Sequence, residues 1–149
     1  MTIVHRTRSD LAACPISDAI TTRDMELSVD DTVEDAHRLF AKRAVRLLPV
    51  LDGSTYVGAV DRDTIGAADP SAAIGAFASA LVPTALAETP ATEALAALDR
   101  DGGKRLVVLA DDGVSYVGLV CLRGDRERLC VDAELVHDPA ALPIGRAPL

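Results

Sequence analysis

The sequence predicts an α+β fold in which one small unit is used twice. Thr55-Tyr56-Val57-Gly58-Ala59-Val60 reappears 60 positions later as Ser115-Tyr116-Val117-Gly118-Leu119-Val120. Each copy follows an apolar run, Leu47-Leu48-Pro49-Val50-Leu51 in the first half and Leu106-Val107-Val108-Leu109 in the second. Each run in turn follows a stretch of helical periodicity at a similar distance. Order of this kind indicates duplication of a unit with a period near 60.

The elements follow in chain order. A short opening strand is expected over Glu26–Val29. The first helix lies near residues 32–43, where Val33, Ala36 and Phe40 fall on one face with Leu39 beside them. Asp31 reads as its N-cap, with Glu34 three residues on, an arrangement related to the capping box. The run Leu47–Leu51 reads as a strand, and Asp52-Gly53-Ser54 as a hairpin connection to the strand over 55–60. An Ala-rich stretch with Gly66, Asp69-Pro70 and Gly75 follows. It is expected to enter a short helix over Ser71–Ala80 through a proline turn.

The second unit repeats the order. Thr84–Ala87 is the opening strand. The helix near 90–101 is capped by Thr89 and has Pro90 in its first turn. Ala91, Ala94, Leu95 and Leu98 form its apolar stripe, and Gly102-Gly103 ends it. Asp111-Asp112-Gly113 then links two further strands. From Asp138 onward Pro139, Pro143, Gly145 and Pro148 predict an extended or partly disordered tail.

Composition narrows the function classes. Of 149 residues, 49% are hydrophobic, but with two Tyr, two Phe and no Trp the interior is built from small side chains. Such a core gains from pairing between halves or chains. A net charge of −8 disfavours nucleic acid and anionic membrane as partners. No segment approaches the roughly 18 consecutive apolar residues needed to cross a bilayer. No apolar stretch follows Met1 to Arg8, so no signal peptide is read. Three cysteines, Cys14, Cys121 and Cys130, follow no familiar spacing, which suits reduced thiols in a cytoplasmic protein.

Three strings then resemble a cystathionine-β-synthase-type (CBS) domain: Ser28-Val29-Asp30-Asp31-Thr32-Val33-Glu34-Asp35-Ala36, Leu48-Pro49-Val50-Leu51-Asp52 and Val57-Gly58-Ala59-Val60. The second half is similar through Ala94-Leu95, Leu106-Val107-Val108 and Tyr116-Val117-Gly118-Leu119-Val120, with Val107 where proline is usual. The resemblance implies tandem β-α-β-β-α repeats with pseudo-twofold symmetry, a Bateman module of two small sheets flanked by helices. The division is 15–66 for the first repeat, 67–81 for the connector, 82–130 for the second repeat and 131–149 for the tail. The resemblance further implies a homodimer, a separate effector protein, and a cleft ligand such as AMP, ATP or S-adenosylmethionine, with no other cofactor.

The implied ligand contacts are Val45, Arg46, Pro49, Asp61 and Thr64 in the first repeat and Lys104, Arg105, Cys121 and Asp125 in the second. Nucleotide-binding CBS domains follow the last strand with Gly-apolar-apolar-Thr/Ser-x-x-Asp, where the hydroxyl and helix N-terminus hold phosphate and the Asp holds the ribose diol. Here Asp61 stands at the hydroxyl position and Thr64 at the carboxylate position. Asp61 reads first as a helix N-cap. In the second repeat Cys121 replaces the hydroxyl, Gly124 the carboxylate, and Asp125 lies one residue late. Lys104, Arg105 and Arg123 bring positive charge to that cleft, or are solvated surface groups.

Other chemistries fit poorly. Cys121, Cys130 and His137 match no common zinc spacing. Cysteine catalysis would need His5, His37 or His137 brought near a thiol. Cys121 reads as a small core residue, His37 as solvent-facing, and Tyr56 and Tyr116 as packing residues. No phosphate-cradling glycine loop is present, so an enzyme is not expected. Two readings stay open: a regulatory module that binds an adenosine-type metabolite and signals to a partner, and a structural or dimerisation module with degenerate, non-binding sites.

Overall fold

Among the described residues, strand-forming runs, amphipathic helices and turn residues resolve into thirteen short elements, and the way two of them cross between units sets everything else. The computed structural model describes residues 3–21, 26–42 and 45–132. His137 and the tail beyond Asp132 lie outside the described residues.

The elements are β1 (Ile3–Thr7), a 3₁₀ turn (Ile16–Ala19), β2 (Leu27–Ser28), α1 (Val33–Phe40), β3 (Leu47–Asp52), β4 (Thr55–Asp61) and α2 (Arg62–Ile65). A second 3₁₀ turn (Ile74–Phe77), β5 (Thr84–Leu86), α3 (Ala91–Asp101), β6 (Arg105–Leu109), β7 (Tyr116–Leu122) and β8 (Arg128–Asp132) follow. One sheet has the order β2-β3-β4 and the other β1-β8-β7-β6-β5. β2 lies parallel to β3 and β5 parallel to β6, while both hairpins are antiparallel. The chain is therefore α+β with two small sheets, as the resemblance implies.

The two units exchange their turns. Ile16, at the head of the first repeat, is fully buried in the core built by Leu95, Leu98, Leu106 and Val120 of the second. Ile74, ahead of the second unit, is fully buried with Val33, Leu48, Val50 and Val60 of the first. The backbone repeats the exchange. Ile16 N–H donates to Thr89 C=O and Ile74 N–H to Asp31 C=O, both at 2.7 Å. Ala91 N–H, at the head of α3, donates to Cys14 C=O at 2.9 Å, and Val33 N–H, at the head of α1, to Ala72 C=O at 3.0 Å. The first N–H groups of a helix have no partner within it, so each crossing segment satisfies the start of the helix it covers.

This exchange explains the recurring glycine of the Tyr-Val-Gly motif. After each turn the chain passes directly over the opposite unit's last hairpin strand. A Cβ on Gly58 would stand 2.8 Å from Ser79 N, and one on Gly118 would stand 2.6 Å from Ile20 Cγ2. Between the sheets a third cluster of Leu47, Ala59, Val107, Leu109 and Leu119 forms, with Tyr56 and Tyr116 at its edge. Those tyrosines stack on each other at 6.5 Å between centroids. Around them Tyr56 N–H donates to Val114 C=O and Tyr116 N–H to Ser54 C=O, at 2.8 and 3.0 Å.

Several sequence expectations are corrected. α1 is capped by Thr32 and Asp35 in a reciprocal capping box, one residue beyond the expected Asp31 and Glu34. Asp31 is occupied instead in accepting from Ser28 N–H at 2.8 Å. α3 has no side-chain cap from Thr89; its N-cap is Pro90, and Cys14 C=O meets the first N–H. The expected helix over Ser71–Ala80 shrinks to the Ile74–Phe77 turn, because the N–H groups of Ile74, Gly75 and Ser79 bond across to Asp31, Val29 and Ala59, and Ala76 and Ala78 bond only three residues back. Among the described residues, no helix follows β7 in the second unit. The chain turns at Gly124–Glu127 and returns as β8, which pairs with β7 on one side and β1 on the other.

Asp99 of α3 fastens that added ribbon. Its carboxylate accepts from Arg8 Nη2 at 2.8 Å and Arg126 Nη2 at 2.9 Å. Hydrogen bonds from Arg8 and then Arg126 hold its pKa down to about 2. A depressed carboxylate pKa stabilises the fold above the unfolded-state value and loses that contribution as pH falls through the folded one. Asp99→Asn should therefore lower the unfolding midpoint at neutral pH, and the gap to the parent protein should close as pH falls from about 4 to about 2. Thermal melts across that range read it directly. Gly58→Ala should cost about 1–3 kcal/mol by overpacking, measurable by urea unfolding, because the group it meets is backbone and its φ of +153° is rare for an L side chain.

Candidate functional site

The positions implied by the resemblance fall at the same end of each unit, where the last hairpin strand runs out, but the two ends are built differently. In the first unit β4 ends at Asp61 and α2 starts at Arg62. Asp61 Oδ1 accepts from Thr64 N–H at 2.8 Å and from the Thr64 hydroxyl at 2.7 Å. The Thr64 hydroxyl bond, the largest cause, lowers the Asp61 pKa. The pair is a self-contained cap, and its negative charge sits where a phosphate would otherwise meet the helix start.

Arg62 is committed as well. Its Nη2 donates to the carbonyls of Phe40, Lys42 and Val45, and its guanidinium lies 5.8 Å from the Phe40 ring centroid. This clasp closes the last turn of α1 over the entry to β3. Val45 is half-buried and its carbonyl is one of the clasped groups, while Arg46 is exposed. Pro49 is buried in β3 opposite Ala59. The N–H and C=O of Ala59 both bond to Ser79 on its far side, so a proline across from it forfeits no ladder bond there. The equivalent Val107 N–H does bond, to Pro83 C=O at 3.0 Å, which accounts for valine in the second copy.

The second unit gathers cations. Arg105 on β6 pairs with Cys121 on β7, Cys121 with Cys130 on β8, and Cys130 with His5 on β1. Cross-strand partners share a face, so these four form one row across the sheet, away from the core side occupied by Val120, Leu122 and Leu129. Cys121 is half-buried rather than the core residue expected, because strand alternation gives that core side to Val120 and Leu122 and puts Cys121 on the face of Leu119, outside the cluster between the sheets. Burial pushes its thiol pKa up, and the charges of Arg105, Arg123 and Lys104 oppose that. Arg123 Nη1 lies 3.3 Å from His5 Nε2 and 3.5 Å from Cys130 Sγ. Lys104 Nζ reaches over the turn, 3.9 Å from where a Cβ on Gly124 would stand.

Asp125 is drawn away from this row. Its carboxylate accepts from Glu127 N–H and Arg128 N–H at 3.0 Å each and from Arg128 Nε at 2.6 Å. The structure thus brings Lys104, Arg105 and Cys121 together, adds Arg123, Cys130 and His5, and occupies Asp125 in the turn. Strand alternation in Leu129-Cys130-Val131 was the available signal for Cys130. The pairing of β1, and so the place of His5, had none. His37 is exposed, as its position on α1 predicts.

A separate cleft of about 400 Å³ opens between the hairpins, lined by Glu26, Leu51, Gly53, Ser54, Tyr116 and Val117. None of the residues implied as ligand contacts lines it. Among the described residues no His, Cys, Asp and Glu cluster suits a metal ion, and no helix is long and apolar enough to cross a membrane.

Comparison with known proteins agrees with this architecture. Residues 16–68 match the family model of the CBS domain. No curated protein matches the chain. Among solved structures, the cystathionine beta-synthase pair domain from Shewanella oneidensis MR-1 is 26% identical, with a TM-score of 0.62, covering 70% of this chain and 63% of that one. The CBS domain of the bacterial CNNM/CorC family Mg2+ transporter, in complex with ATP, is 20% identical at a TM-score of 0.61, covering 76% and 85%. CBSX2 in complex with AMP is 23% identical at a TM-score of 0.59, covering 75% and 92%.

Replacing Asp61 by Ala should cost about 1 kcal/mol through loss of the α2 cap, read as a lower urea midpoint. Asp61→Asn, which keeps an acceptor oxygen, should recover most of it.

Proposed function

We propose that this chain, a tandem pair of CBS domains, is a regulatory module that binds an adenosine phosphate at the second unit and passes the bound state to a separate partner protein. One observation carries the reading: Lys104, Arg105 and Arg123 converge on Cys121 at the position where the family pattern holds a ligand. In a chain of net charge −8, three cations around one strand end make a local anion-binding environment. The half-buried Arg105 and the exposed Lys104 offer donors to phosphate oxygens, and arginine presents a fork suited to such oxygens. Asp61 at the head of α2 makes the first unit the poorer phosphate site. The relatives solved with ATP and with AMP supply the class of ligand.

A second reading, a structural or dimerising module without a ligand, is favoured by the closed Asp61–Thr64 pair and by the occupied Asp125 carboxylate. Thermal unfolding separates the two. At about a hundred times its dissociation constant a ligand that binds only the folded state stabilises by roughly 2.7 kcal/mol. AMP, ADP or ATP near millimolar should raise the midpoint saturably, and Arg105→Gln should weaken that binding about tenfold by removing one charged hydrogen bond. No shift with any adenosine phosphate or with S-adenosylmethionine would sink the sensor reading. It would leave the second, whose mark is a stable dimer by light scattering.

A further inference from the structure

Cys121 and Cys130 are Cα partners on adjacent antiparallel strands, so their side chains leave the same face of the sheet. Arg123 N–H donates to Arg128 C=O at 2.7 Å, which makes that pair a hydrogen-bonded one. Alternation along the ladder gives Cys121 and Cys130, two residues further in, the same type. Cα atoms in such a pair stand about 5.5 Å apart, inside the range that a disulfide spans. Both cysteines are reduced and partly exposed. An Arg123 guanidinium N–H points at Cys130 Sγ, 3.5 Å away. The third cysteine, Cys14, is elsewhere, partly buried against the core under the first crossing turn.

We infer that Cys121 and Cys130 form a reversible cross-strand dithiol, a site of two-electron oxidation by a peroxide. The Cys130 thiolate attacks one peroxide oxygen. The O–O bond breaks, hydroxide leaves and takes a proton to become water, and Cys130 is left as a sulfenic acid. Cys121 sulfur then attacks the Cys130 sulfur, the S–O bond breaks, and the sulfenic hydroxyl leaves as water with the Cys121 proton. Two thiols lose two electrons and two protons, and one hydrogen peroxide becomes two waters. The bond closes the loop from Cys121 to Cys130 and fixes β8, and β1 through it, to the rest of the sheet.

The sequence gives a direct readout, because Arg123, Arg126 and Arg128 lie between the two cysteines and trypsin separates them. The full-length folded chain would be treated with stoichiometric hydrogen peroxide, alkylated and digested without reductant. The expected result is a Cys121–Cys130 linked peptide pair with Cys14 alkylated, fully reversed by dithiothreitol. The oxidised protein should unfold a few degrees higher than the reduced one. Cys121→Ser should trap the sulfenic acid at Cys130, detectable with dimedone. Cys14→Ser should leave the linked pair unchanged, and circular dichroism confirms that each variant is folded. The proposal is overturned if the linked pair is absent, or if disulfides to Cys14 form as readily as Cys121–Cys130.

Discussion

Two isoleucines, each seated in the unit it does not open, are the constraint from which the rest of the fold follows. Burying an isoleucine side chain contributes roughly 1.5–3 kcal/mol, and Ile16 and Ile74 are both fully buried. Neither unit completes its core from its own continuous chain. The crossing segments also bring the carbonyls of Cys14 and Ala72 to the N-termini of α3 and α1, so hydrogen bonding and apolar burial enforce the same arrangement. A chain with so few aromatics has little area to bury in either half alone. Interlocking supplies it from neighbours, and sets the glycines where one segment runs across another.

The duplication was legible because it is written in residues that packing requires. Both helices, both hairpins and the parallel opening strands could be placed from apolar spacing and turn residues. The helix caps were legible only approximately. Asp31 and Thr32 are both competent N-caps, and the choice depends on Asp31 being drawn to Ser28. For α3, a backbone carbonyl almost eighty positions earlier does part of what a cap would do, since Ala91 bonds to Cys14. The Ser71–Ala80 stretch has good helix formers in it. The N–H groups of Ile74, Gly75 and Ser79 are claimed by non-local partners, and propensity yields to tertiary pairing of this kind. The grouping of Lys104, Arg105 and Arg123 near Cys121 was legible from their spacing, but the row that includes Cys130 and His5 depends on strand order.

That strand order separates the two ends of the molecule. In the first unit β4 runs into α2, and a helix start needs its N–H groups satisfied. Asp61 does this with its carboxylate, and Arg62 then satisfies carbonyls at the other end of α1. The polar residues in this region largely answer one another. Stability and ligand recognition compete for the same atoms, and here the fold holds them.

In the second unit the turn after β7 meets its own needs through Asp125, which accepts from two backbone N–H groups and Arg128. No helix N-terminus is left to cap, so no carboxylate is required beside Cys121. The returning β8 and the added β1 widen the sheet and carry Cys130 and His5 onto the face already bearing Arg105. Arg123, two residues beyond Cys121, then lies over that row, within reach of both His5 and Cys130. Exchanging a terminal helix for a strand thus turns a self-satisfied end into one with positive charge and paired thiols held in open register. The difference between the copies is a consequence of how each ends, and a few residues after Cys121 are enough to produce it.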